Sequence, residues 1–368
     1  MKLIDSIVGQ AAGIAALRRD IHAHPELCFE EKRTADIVAT KLTEWGIPVH
    51  RGLAGTGVVG TVHGRDGGAS GRALGLRADM DALPIQETTG LPHASLHDGV
   101  MHACGHDGHT AMLLAAAEHL ALHGRFSGTL NLIFQPAEEG GGGALKMMED
   151  GLFERFPCDA IFAMHNMPGH PQGRLVFRSG PTMASSDFAT VTLHGHGGHG
   201  AMPHKATDVV VAAASLIMAL QTVVSRHVDP MQPAVVTVGA VHAGEANNVI
   251  PAEARLEISV RSLDPQVRRS MEQRIRELVQ LQAQSFGVRA EIDWRPGYAV
   301  LVNDAQQTAR ALAVAQKHFP ADQINPQGPM LTGSEDFAFM LERVPGSYLF
   351  IGNGADGERG ACMVHNPA

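Results

Sequence analysis

The chain has 368 residues, 44% of them hydrophobic and 18% charged, which excludes a disordered protein and allows two domains of roughly 100–200 residues each. Its 29 Lys and Arg against 38 Asp and Glu leave a net charge of -9 with no dense basic run, which excludes a protein that works by neutralising nucleic-acid phosphates. Cys28, Cys104, Cys158 and Cys362 contain no CxxC pair and make neither a disulfide framework nor a zinc ribbon, so a reducing cytoplasm is the expected location.

No secretory signal is expected at the start, because Asp5 and Gln10 interrupt the apolar positions before Arg18 and Arg19. Leu3–Glu26 and Lys32–Trp45 have the spacing of amphipathic helices, the second stopping at Gly46. Short apolar runs follow at Val58–Val62, Ala73–Arg77, Leu130–Phe134 and Ala160–Met164, with a helix over Thr110–His123. Buried strands separated by helices predict an α/β sheet covered on its faces.

Between Ala184 and Tyr298 the pattern changes. Strands at Phe188–Leu193, Ala234–Val241, Ala254–Val260 and Arg289–Trp294 alternate with helices at Thr207–Arg226 and Pro265–Phe286. The order β-α-β-β-α-β is that of a ferredoxin-like domain of about 110 residues. The longest apolar stretch, Val209–Leu220, has 12 residues, short of the roughly 18–20 of a membrane helix, so no membrane partner is expected. A helix at Asp304–His318 and a strand near Ser347–Ile351 then resume the first pattern. The expected organisation is one α/β domain, residues 1–183 and 299–368, interrupted by an inserted α+β domain, residues 184–298.

The 41 glycines and 21 histidines stand out beside 2 Trp and 2 Tyr, and both gather in a few short segments. Met101–His109 carries His102, Cys104, His106, Asp107 and His109 ahead of the helix expected near Thr110. Imidazole and thiolate suit borderline divalent metals, and glycines let neighbouring side chains converge on one ion; a capped helix entrance with surface histidines is the alternative. Glu138 and Glu139 follow the strand Leu130–Phe134, at the carboxyl edge where open α/β sheets bind ligands, although from the pair alone a charged turn is the favoured reading. Nearby cations would let one carboxylate ligate while the other acts as a base. Gly140–Gly143 lack the GK[ST] ending of a phosphate loop. His165-Asn166 follows another strand, and His365-Asn366-Pro367 lies at the C-terminus. One site explains all four segments together.

Leu76-Arg77-Ala78-Asp79-Met80-Asp81-Ala82-Leu83-Pro84, Cys104-Gly105-His106-Asp107-Gly108-His109, Gln135-Pro136-Ala137-Glu138-Glu139-Gly140, Gly197-Gly198-His199-Gly200-Ala201-Met202-Pro203-His204, Asn248-Val249-Ile250-Pro251 and Gly333-Ser334-Glu335-Asp336-Phe337 resemble, in order, the motifs of M20-type metallopeptidases. The branch is similar to amidohydrolases of N-acyl and N-aroyl amino acids, such as hippurate and auxin-conjugate hydrolases. The likeness runs from His24-Pro25-Glu26 to His365. It implies a zinc-peptidase-like catalytic domain with a mostly parallel central sheet and an inserted ferredoxin-like lid or dimerisation domain. It also implies two divalent metal ions (Zn, Mn, Ni or Co) on Cys104, His106, Glu139, His165 and His365, with Glu138 as general base for hydrolysing a small N-acyl amino acid substrate.

His199 is expected, by the same resemblance, at the oxyanion, in its own subunit or a neighbour's; a loop histidine is the other reading. Asn248 and Arg261 are candidates for the substrate's free carboxylate, Arg261 reading equally as a strand-end charge. Most members place a ligand histidine where this chain has Asp79, which leaves the bridging ligand open and makes Asp79 and Asp81 candidates for orienting histidine ligands. The apolar helix Thr207–Arg226 and open sheet edges suggest a homodimer or homotetramer through the inserted domain. A di- or aminopeptidase, or a non-catalytic ligand-binding homologue, are the rival functions.

Overall fold

The computed structural model describes residues 4–65, 71–355, 357 and 360–368; the first helix runs Asp5–Ala23, and Leu3 of the expected span lies outside the described residues. Among the described residues, the expected runs become an eight-stranded sheet. Its order is Val49–Leu53, Gly57–His63, Thr129–Gln135, Ala73–Asp79, Ala160–Met167, Gly346–Gly352, Leu175–Val176 and Ile324–Asn325. The four strands from Thr129–Gln135 through Gly346–Gly352 run parallel. An antiparallel pair, Gly57–His63 and Val49–Leu53, extends one edge.

Parallel strands are covered on both faces, which is why they read as unbroken apolar runs, and Leu132, Ile133 and Phe134 are fully buried. The helix Lys32–Glu44 buries Ala35, Val38, Ala39 and Leu42, a stripe at three- and four-residue spacing, in one cluster with Val58, Leu114 and Ala117. Complete burial of Leu42 and Leu114 contributes about 1.5–3 kcal/mol each. Val49–Leu53 went unread as a strand because the polar and glycine positions His50, Arg51 and Gly52 break the apolar run at the sheet's edge.

Several helices differ from their expected bounds, the first ending at Ala23 rather than Glu26. The helix expected from Thr110 begins at His106, so His106 and His109 share its first turn. The helix Val209–Thr222 continues through a π-turn, Val223–His227, giving 19 residues of mean hydropathy 1.8. By length and composition it could cross a bilayer, contrary to the expectation from the 12-residue run. Val209, Ala212, Ala213, Leu216, Leu220 and Val223 nevertheless sit in the core of its own unit, as on a core helix.

The chain forms two compact units. The first is Met1–Gly180, Val302–Pro329 and Asp336–Ala368; the second is Pro181–Leu301 with Met330–Glu335. The short segment Met330–Glu335, expected with the first part, groups with the second, where Ala184 N donates to Leu331 O and Gly333 O. In the second unit an antiparallel sheet has the order Ala234–Ala243, Glu253–Ser262, Asp187–His194, Arg289–Pro296. In chain order that is 2-3-1-4, the ferredoxin-like arrangement, with Val209–Thr222 and Pro265–Ser285 contributing to one core.

Asp264 caps the helix Pro265–Ser285, its Oδ1 accepting from Gln266 N at 2.7 Å and Val267 N at 3.0 Å. Replacing Asp264 by Ala should cost about 1 kcal/mol in a denaturant titration; an unchanged midpoint would show the cap to be redundant.

Candidate metal centre

The donors converge because parallel strands end together. Asp79 closes Ala73–Asp79, and Gln135 closes Thr129–Gln135 just ahead of Glu138 and Glu139. His165 and Asn166, expected after a strand, lie inside the carboxyl end of Ala160–Met167. Cys104 and His106 flank Gly105 at the entrance of the helix His106–His123. Gly105 has φ +87°, and a Cβ there would stand 2.3 Å from Asn166 Oδ1, so only glycine lets the helix start this close to the strand. Gly143 closes the loop after the acid pair, where a Cβ would meet Pro136 O at 1.7 Å.

Cys104, His106 and His165 have donor atoms within 4.8 Å of one another, as do Cys104, Glu139 and His365, and also His106, Glu138 and Glu139. His365 Nε2 is 3.2 Å from Glu139 Oε1, and Cys104 Sγ is 3.4 Å from His165 Nε2. The five expected ligands and Glu138 therefore meet in one place in the first unit. His199, Asn248 and Arg261 lie in the second unit. There His199 pairs with Val249 across a two-stranded ribbon, Gly200 N donates to Asn248 O at 2.8 Å, and Arg261 Nη1 donates to Ser334 Oγ at 3.1 Å.

The outer contacts set the imidazole tautomers. His106 Nδ1 lies 3.3 Å from Asp81 Oδ1 and donates to it, which turns Nε2 toward Glu139. His165 Nδ1 donates to Asn166 O at 2.6 Å, leaving Nε2 toward Cys104. Asp81 also accepts from Glu138 N at 3.0 Å and Glu139 N at 2.9 Å, so one carboxylate orients a histidine and both acids. Asp79 instead takes His109 Nδ1 at 2.6 Å, and His109 Nε2 accepts from Asn166 N at 3.0 Å. His109 was noted in its segment but given no role. Its place beside Asp79 follows from sharing the helix's first turn with His106, a start the sequence put four residues later.

Electrostatics prepare these groups unequally. Burial alone would lower His106, but the Asp79 charge and the Asp81 hydrogen bond outweigh it and hold His106 well above the usual histidine value. Burial, then the nearby His109, hold His165 well below it, a neutral ring ready to ligate. The Glu139 hydrogen bond raises His365. Burial pushes the Cys104 thiol up to about 12. His106 Nε2 is buried without a hydrogen-bond partner, Glu139 Oε1 meets His365 Nε2 at 3.2 Å, and with soft and borderline donors around them the residues fit divalent metal ions.

Arg77 anchors the rim from beneath. Its guanidinium donates to Gln135 Oε1 at 2.8 Å, Asp79 Oδ2 at 2.6 Å and Asp336 Oδ1 at 3.1 Å, all buried. Neither Gln135, Asp336 nor Arg77 was assigned a role from the sequence, since 259 residues separate Arg77 from Asp336.

A fold of this kind with a Cys/His/Glu cluster at the carboxyl ends of its strands defines a metal-dependent hydrolase. The model of peptidase family M20/M25/M40 matches residues 75–368, and the chain belongs to that family as a metal-dependent amidohydrolase. It is 44% identical to the hippurate hydrolase of Campylobacter jejuni subsp. jejuni, over 97% of this chain and 92% of that protein. It is 40% identical to the N-acetyl-L-cysteine deacetylase of Bacillus subtilis, over 96% and 82%. The crystal structure of the Bacillus subtilis YXEP protein, a dinuclear metal-binding peptidase of the M20 family, superposes with a TM-score of 0.83 at 34% identity, covering 98% of this chain and 92% of that one.

Replacing Arg77 by Met would leave Asp79 and Asp336 buried without their guanidinium and should cost about 3–5 kcal/mol. A fall in thermal midpoint no larger than that of a surface substitution would contradict the anchoring role.

Proposed function

We propose that this chain hydrolyses the amide bond of N-acyl or N-aroyl amino acids, releasing a carboxylic acid and a free amino acid. The carrying observation is the convergence of Cys104, His106, Glu139, His165 and His365 around the unsatisfied, buried Nε2 of His106, with Glu138 adjoining. These five residues would hold two divalent ions, of Zn, Mn, Ni or Co, with Asp81 orienting His106 and Asp79 orienting His109. Bound there, the ions supply Lewis acidity that polarises the amide carbonyl and lowers the pKa of water.

Glu138 accepts the proton of the attacking water at its carboxylate and delivers it to the departing nitrogen, without which the amine is a poor leaving group. His199 is assigned to the oxyanion. Asn248 and Arg261 are assigned to the substrate carboxylate, the guanidinium offering a planar two-point donor. The names hippurate hydrolase and N-acetyl-L-cysteine deacetylase among the relatives support an acylated amino acid as substrate. A thermostable carboxypeptidase of Saccharolobus solfataricus, 36% identical over 96% of this chain and 88% of that protein, favours peptides as the second reading.

A cytoplasmic location fits the four free cysteines. Pairing of subunits through the second unit is proposed on the exposed Val210, Val211 and Met218 and the open edge of Ala234–Ala243. A monomer in light scattering at micromolar concentration would count against it.

Replacing Glu138 by Gln should keep metal content and fold while turnover of N-benzoyl or N-acetyl amino acids drops by roughly 10²–10⁴-fold. Near-normal turnover would remove Glu138 from the proton path. A panel in which peptides with free N-termini outperform acyl amino acids would move the reading to a peptidase. Metal loading has its own signature, because Cys104 near 12 and the raised His106 both carry protons at neutral pH, whereas thiolate and neutral imidazole ligate. Loading the metal-free protein in weak buffer should therefore release protons, and affinity should fall as pH is lowered. Proton-neutral loading would contradict this ligand set.

A further inference from the structure

Phe29 and Ala137 are non-glycine residues in left-handed backbone, with φ +63° and +54°. Both donate their N–H to one acceptor, Glu31 Oε1, each at 2.9 Å. The other oxygen of Glu31 accepts from Thr56 Oγ1 at 2.6 Å, and the residue is fully buried. Three donors thus point at a side chain that, ionised, can only accept.

Ala137 is the residue from which the acid pair departs. Its N–H goes to Glu31, and the next two, of Glu138 and Glu139, go to Asp81, so three successive amides are each bound by a carboxylate other than the pair. Gly143 N returns to Ala137 O at 3.0 Å and closes the turn. Ala137 is fully buried, and a Cβ on Gly141 would lie 2.7 Å from its own Cβ, so the turn has one packed arrangement.

We propose that Glu31 is a positioning residue: by holding Ala137 in left-handed backbone it fixes the direction in which Glu138 and Glu139 leave the strand Thr129–Gln135. It does so without contact to the substrate. Without the Glu31 acceptor, Ala137 relaxes toward negative φ and the following peptide swings, which misplaces a proton carrier and a metal donor together. The consequence for catalysis rests on the function proposed above; the consequence for the backbone does not.

The test compares Glu31→Met, of similar length without an acceptor, with Glu31→Gln, whose carbonyl still serves both amides while its NH2 donates to Thr56 Oγ1. Hydrogen exchange followed by mass spectrometry over residues 136–143, on the metal-loaded protein, reads the backbone directly. Glu31→Met should raise exchange in that segment selectively and lower kcat per metal-loaded molecule by about tenfold to a hundredfold at little-changed KM. Glu31→Gln should stay near wild type in both. Should Glu31→Met fail to fold, Glu31→Asp, which withdraws the carboxylate by one methylene, should give the same pattern at smaller amplitude. Unchanged exchange at 136–143, or a uniform rise across the first unit with kcat per loaded molecule intact, would overturn the proposal. Wild-type protein inactive on every acyl amino acid would count against the functional reading alone, and the exchange result would still decide the role of Glu31.

Discussion

Negative charge buried beneath the carboxyl ends of the parallel strands governs the first unit. Asp79, Asp81, Glu138 and Asp336 are almost inaccessible to solvent, and carboxylates so placed persist only where hydrogen bonds or cations offset their lost hydration. Arg77 serves Asp79 and Asp336, and Asp81 accepts two backbone amides and His106. At the mouth of the cluster that internal supply ends, with His106 Nε2 buried and unsatisfied and Glu139 Oε1 met by His365. The charges that hold His106 well above the usual histidine value favour positive charge at this place, so protons and divalent ions compete for one location.

The same charge explains the shape of the loops around it. Three of the segments that meet there are held by carboxylates: His106 through Asp81, the acid pair through Asp81 and Glu31, and Asn166, beside His165, through His109 and Asp79. Glycine appears where a Cβ would collide with a neighbour, the Asn166 side chain at Gly105 and the Pro136 backbone at Gly143. Stability and site geometry are thus one arrangement, which is why Arg77, remote from the donors in sequence, belongs to the same argument.

Periodicity made much of the fold legible. The apolar runs at Val58–Val62 and Leu130–Phe134 became buried strands because burial on both faces removes alternation, and the change of pattern after Ala184 marked a unit with its own sheet. The candidate ligands were legible because Cys, His and Glu stood next to strand ends. What stayed hidden depends on contacts between distant positions. Asp336 reaches Arg77 and Gln135 across the chain, Glu31 reaches Ala137 from the start of a helix, and Met330–Glu335 joins the second unit through backbone bonds to Ala184. The helix start at His106 was misplaced because a left-handed Gly105 begins it, and no apolar period marks such a turn.

The central claim is that residues far apart in the chain hold a pair of divalent ions. Anomalous diffraction at the absorption edge of the metal carried by the purified protein tests it most directly. The account predicts two adjacent peaks bonded by Cys104, His106, Glu139, His165 and His365. Anomalous peaks placed away from these side chains, or a single ion held without Cys104 and His365, would contradict it.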